Sequence, residues 1–128
     1  MQVKDKDQET LSADLLQALA HPLRLKLLKR IGRKRVCQCE LAGLLQEHPV
    51  NISRHLSVLE RSGLITFEKE GTRLYPRIAF PESARIIRDA ETLGRRIIAG
   101  RAVKGSNKKE VRPQAGPDRR KERSRGSI

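Results

Sequence analysis

The stretch VNISRHLSVLERSGLI, residues 50–65, decides how this chain folds. Ile52, Leu56 and Leu59 recur at intervals of four and three, the spacing of one buried face on an α-helix. With those three turned inward, Val50, Asn51, Arg54 and Ser57 lie toward the outer face. Ser62-Gly63 closes the helix, because glycine is free to take a positive φ. Pro49 suits the first helical position, where a missing N–H is no loss. His48 then falls at the cap. Histidine caps less well than serine, threonine or asparagine, so this helix start is expected to fray or to use another bond.

Working upstream, Leu41, Leu44 and Leu45 mark a short helix ending in a turn at Gln46–His48. His21-Pro22 opens an earlier one, with Leu23, Leu27, Leu28 and Ile31 as its stripe and Gly32 as its end. Ser12 is a plausible cap for a first helix carrying Leu15, Leu16 and Leu19, which leaves residues 1–11 as a flexible lead. Downstream, residues 64–68 and 73–79 read as two strands with a tip at Lys69–Thr72. Pro76 places the second strand at an edge, since proline donates nothing to a ladder. Pro81 begins a last helix in which Ile86, Ala90, Leu93 and Ile97 repeat at four, three and four, beside Ile87, Gly94 and Ile98. That stripe is broad for so small a domain. Together with Leu15 and Leu19 it suits pairing with a second copy of the chain, the alternative being packing within its own domain. The fold class is mainly α with a small β-hairpin, in the order α-α-α-α-β-β-α over residues 12–100. A winged helix-turn-helix has that order, as one candidate among several.

The chain has 128 residues, with 28 Lys and Arg against 15 Asp and Glu, a net charge of +13. Such an excess attracts polyanions, nucleic acid first among them. Aromatic residues are few (Phe67, Tyr75 and Phe80), which disfavours single-strand binding by stacked bases and favours a duplex gripped by its backbone. Residues 101–128 hold ten basic and three acidic side chains and almost no large apolar ones. Such a segment cannot offset its ordering entropy and reads as a disordered basic tail. No apolar run approaches the roughly 20 residues that span a bilayer. The opening MQVKDKDQET lacks a signal peptide's apolar stretch. Both point to the cytoplasm and to no membrane partner. Thiols stay reduced there, so two cysteines suggest metal binding, redox sensing or no role.

Residues 50–65 closely resemble the recognition-helix signature of the ArsR/SmtB family of metal-responsive repressors. ALAHPLRLKLLKRI (18–31) resembles the family's opening motif, and EKEGTRLYPRI (68–78) its wing. Three motifs in order carry the resemblance over about residues 12–99. It implies a winged helix-turn-helix that binds a double-stranded operator as a homodimer. Asn51 and Arg54 are types that make bidentate contacts to adenine and guanine edges. Ser53 can bond a phosphate or a base, Ser57 shares the outer face, and His55 lies at the buried edge with DNA contact or packing both open. Lys69 and Arg73 on the hairpin suit phosphate or minor-groove contact.

RKRVCQCELAGLL (33–45) holds both cysteines, Cys37 and Cys39. In the resembling family a Glu-Leu-Cys-x-Cys-Asp-Leu-Cys motif at this place binds arsenite. Here Ala42 stands where the third cysteine would be, so the resemblance implies two metal ligands. No cofactor is required; As(III) or another thiophilic ion would act as inducer. The zinc site that some relatives build across their dimer helices is missing. Residues two apart on an α-helix point about 200° from each other. Chelation by the pair is therefore expected to unwind the first turn of the third helix. Arg33, Lys34, Arg35 and the helix N-terminus are expected to lower the thiol pKa. Low pKa invites oxidation, so a regulator switched by thiol oxidation, or without an inducer, is the nearest rival. A non-specific duplex nucleic-acid binder driven by the tail is the rival from another class. No grouping of catalytic residues points to an enzyme.

Overall fold

In the computed structural model the described residues are 7–104. The elements are α1 (Gln8–Leu19), α2 (Pro22–Arg33), α3 (Gln38–Leu45), α4 (Pro49–Arg61), β1 (Ile65–Glu70), β2 (Arg73–Ile78) and α5 (Glu82–Lys104). The order is the expected one. β1 and β2 form an antiparallel hairpin whose register runs from Ile65 opposite Ile78 to Glu70 opposite Arg73. Pro76 faces Phe67 in a sheet of two strands, where every strand is an edge. The chain divides into two compact units, Met1–Arg88 and Asp89–Ile128. No helix among the described residues is long and apolar enough to cross a membrane.

The core is in the first unit. Leu23, Leu27, Leu28 and Ile31 of α2 meet Leu41 of α3 and Ile52, Leu56 and Leu59 of α4, with Leu64, Ile65 and Ile87 closing the cluster. Burying each such side chain contributes about 1.5–3 kcal/mol before chain entropy is charged against it. The periodic stripes of α2 and α4 are thus the two largest walls of one interior. Tight reversals let the elements meet. Gly63 (φ 86°) follows α4 and Gly71 (φ 63°) turns the hairpin. Gln46 takes the same left-handed region (φ 55°) after α3, where its N–H bonds back to that helix.

Several boundaries differ from expectation. α1 starts at Gln8, because Asp7 and not Ser12 caps it, accepting the Thr10 N–H at 2.9 Å. α2 continues through Gly32 to Arg33. Leu44 is exposed, since α3 packs through Leu41 and Leu45. α5 runs to Lys104, so residues 101–104 are helical instead of belonging to the tail. The remainder of the expected tail, 105–128, lies outside the described residues, as do residues 1–6.

Candidate nucleic-acid interface and its sulfur pair

α4 has a well-built start. His48 is extended (φ −67°, ψ 138°), and its Nδ1 accepts the Val50 N–H at 3.1 Å, with Pro49 next in line. Of the two expectations, fraying or another bond, the structure has the second: an imidazole nitrogen replaces the usual cap oxygen. His21 does the same for α2, its Nδ1 accepting the Leu23 N–H at 3.0 Å ahead of Pro22. On the capped α4, Ser53 and Arg54 are exposed and Asn51 is half-buried. Arg54 Nη1 donates to Asn51 Oδ1 at 3.5 Å, which aligns the two side chains along one edge of the helix. Ser57 is half-buried and lines a cleft of about 350 Å³ with Gln38, Ser53, Glu60, Phe67 and Leu74.

His55 has a different position. Its ring stacks on His21 with centroids 4.2 Å apart, and Arg24 Nη1 donates toward its Nδ1 at 3.4 Å. Burial above all, then the charges of His21, Arg24 and Arg54, lower its pKa, while Glu47 opposes them. His55 joins α4 to α2 through these contacts and stays half-buried. His21 and Arg24 are partners that sequence reasoning missed. A contact across 31 residues leaves no periodic trace.

On the hairpin, Lys69 and Arg73 are exposed. Arg35, from the loop before α3, anchors this wing: its Nη2 pairs with Glu70 Oε1 at 2.9 Å and its Cζ lies 3.6 Å above the Tyr75 ring. Glu70 accordingly raises the Arg35 pKa. Arg35, one of the cations expected to act on the thiols together with Arg33 and Lys34, has its charge engaged by the wing. Arg77 pairs with Glu68 across the hairpin at 2.9 Å.

Cys37 is the cap of α3 and lies outside the helix (φ −77°, ψ 143°). Its Sγ accepts the Cys39 N–H at 3.1 Å, and its own N–H donates to Glu40 Oε1 at 3.0 Å, completing a capping box. Cys37 and Cys39 are joined by a disulfide with α3 fully wound. The conflict expected between chelation of an ion and the first turn loses its geometric premise. The 200° rule applies to two helical residues, and Cys37 is not one of them. Cys37 is 2% exposed, whereas Cys39 faces solvent. Both border an open cleft of about 510 Å³ lined also by Gln38, Thr72, Arg73 and Leu74. The sulfurs thus sit against the wing. Among the described residues no three His, Cys, Asp or Glu side chains gather as a metal site, so a metal here would rest on two sulfurs.

The family model for bacterial regulatory proteins of the arsR family matches residues 21–66, from the cap of α2 to the start of β1. A solved structure of the transcriptional regulator HlyU from Vibrio vulnificus is 32% identical, covering 73% of this chain and 98% of that one, with a TM-score of 0.58. The chain belongs to the arsR family.

This arsR-family chain is also 32% identical over 79 residues to the HTH-type transcriptional repressor SmtB of Mycobacterium tuberculosis, covering 62% of this chain. It spans 58% of that relative's length. A solution structure of the homodimeric winged helix-turn-helix domain Mb0332 from Mycobacterium bovis is 26% identical, covering 70% of this chain and 86% of that one, with a TM-score of 0.60. The family is one of regulatory proteins, not enzymes. In this arsR-family member the residues expected to dimerise separate into two groups. Leu19 is buried in its own core, and Leu15 and Ile86 pack against that core, because α1 turns Ala18 and Leu19 toward α2. The exposed apolar residues of α1 are Leu11 and Leu16. In the second unit, Leu93, Ile97 and Ile98 of α5 are exposed, while Ala90 is exposed as well.

Proposed function

We propose that this chain is a transcriptional repressor that binds a duplex operator as a homodimer, and that a soft metal or metalloid ion held by Cys37 and Cys39 releases it. The observation that carries the reading is the shared cleft: the sulfur pair and wing residues Thr72, Arg73 and Leu74 line one space. Asn51, Ser53, Arg54 and Ser57 on α4 read base edges and neighbouring phosphates, while Lys69 and Arg73 supply backbone affinity. Two α4 helices in a dimer read a roughly palindromic site. Support comes from the SmtB relative, named as a repressor, and from the Mb0332 domain, named as homodimeric. Exposed Leu93, Ile97 and Ile98 on α5 offer the partner an apolar face.

Once an external thiol has reduced the Cys37–Cys39 bond to two thiolates, Cys37 and Cys39 would hold a thiophilic ion such as As(III), Ala42 offering no third sulfur. Such an ion would act on the wing through the shared cleft. Release by a hundredfold needs the ion to favour the unbound conformation by about 3 kcal/mol. A second reading, in which oxidation of the pair is the trigger, is favoured by the bond between the two sulfurs. The test is a gel shift on duplexes selected from random sequence, titrated with arsenite and separately with peroxide under reducing and non-reducing conditions. Release by arsenite, lost when both cysteines become serine while apo affinity stays, supports the ion. Release by peroxide alone supports oxidation. Equal affinity for unrelated duplexes overturns the operator reading in favour of non-specific binding.

A further inference from the structure

The two sulfurs are chemically unequal, and the cleft beside them carries a cation. Cys39 faces solvent, Cys37 is 2% exposed, and Arg73 stands across the opening without an ion pair among the described residues. From this we infer that the cleft is a modification site at which a small thiol bearing carboxylates forms a mixed disulfide with Cys39. The regulatory consequence rests on the repressor reading above; the chemistry does not.

The step is thiol–disulfide exchange and needs no added oxidant. The incoming thiolate attacks Sγ of Cys39, the exposed residue of the pair. A new S–S bond forms between them and the Cys37–Cys39 bond breaks. The electron pair of the broken bond leaves on Cys37 as a thiolate. That leaving sulfur already accepts the Cys39 N–H at 3.1 Å at the start of α3, where a helix N-terminus stabilises negative charge. Attack in the opposite sense would have to enter a buried sulfur and expel an exposed one. Local structure therefore selects both the target and the leaving group. A cleft of about 510 Å³ has room for an adduct the size of a short peptide, walled by Gln38, Thr72 and Leu74. The adduct's carboxylates would lie against Arg73 and occupy the wing cation otherwise offered to phosphate.

The oxidised full chain, without DNA, is mixed with glutathione as the anionic thiol and with 2-mercaptoethanol as the uncharged one. Reactions are quenched in acid and mapped by peptide mass. We expect one glutathione on Cys39 and none on Cys37. Arg73→Gln should slow glutathione by about three- to fivefold, the range of an exposed charge pair, and leave 2-mercaptoethanol unchanged. High salt should slow the wild-type reaction with glutathione likewise, with no substitution at all. An adduct on Cys37 overturns the assignment, as does a glutathione rate indifferent to both Arg73 and salt. Because no DNA is present, failure here leaves the operator reading standing, and failure of that reading leaves this one testable.

Discussion

At the start of α4 an imidazole nitrogen of His48 accepts the Val50 amide at 3.1 Å; at the start of α3 the sulfur of Cys37 accepts the Cys39 amide at the same distance. Both residues sit in extended backbone, and both satisfy a donor that every helix start leaves open. Their chemistry differs. One is an imidazole nitrogen, the other a sulfur bonded to a second sulfur. The helix that carries Asn51 and Arg54 is thus held by a group that thiol reagents ignore. The helix beside the wing is held by a sulfur whose bond to Cys39 they can cleave. The two helices share a core yet begin in atoms of different reactivity.

The largest effect should come from the shared core and would erase the contrast. Leu41→Ala in α3 and Leu56→Ala in α4, both essentially unexposed, should each lower stability by about 2–5 kcal/mol in urea unfolding. Similar losses from both would show the helices unfolding as one unit. Much smaller loss for Leu41 would separate them. The caps come next. His48→Ala should cost about 0.5–1 kcal/mol, whereas Cys37→Ser, which keeps an acceptor at the cap, should stay within about 0.5 kcal/mol of the parent when both are compared under reducing conditions that open the Cys37–Cys39 bond. A larger loss in the serine variant would show that the sulfur does more than cap.

Acid should sharpen the difference further. His55 sits below its ordinary value of 6.5, chiefly through burial and then through His21 and Arg24. The unfolded chain therefore takes up this proton first. Its contribution is fully present above about pH 6.5 and is lost as pH falls below that toward the lower folded value. The urea midpoint should drop on moving from about pH 7.5 to 5, and His55→Gln should flatten part of that drop. An unchanged slope in the variant would assign the effect to other groups. Smallest in global stability should be Arg35→Ala, which removes an exposed ion pair to Glu70 and a contact with Tyr75. Its readout is local: amide exchange in β1 and β2 should quicken while α4 stays protected.

Much of this was legible before any coordinates. Periodicity at Ile52, Leu56 and Leu59, the prolines at 22 and 49, and the glycines at 63 and 71 each act within a few residues, so element order and inward faces followed from them. The faces of α1 were less legible. Leu15, Leu16 and Leu19 are equally apolar, and only the direction of α2 decides that Leu19 is buried and Leu16 exposed. The contact of His55 with His21 left no trace in the local pattern of either stretch. For the sulfur pair, the helix boundary was decisive: with Cys37 one residue outside α3, the geometric conflict disappears.

By itself, then, the order of residues determined the architecture and the kinds of side chain available to grip a duplex, because hydrophobic spacing and turn chemistry operate over short stretches of chain. Tertiary structure alone decided that Arg35 serves the wing and that His55 serves α2. It also decided that Cys37 and Cys39 meet beside Thr72 and Arg73. Those relations join residues far apart in the chain, and close approach between such residues is set by packing, which no local pattern encodes.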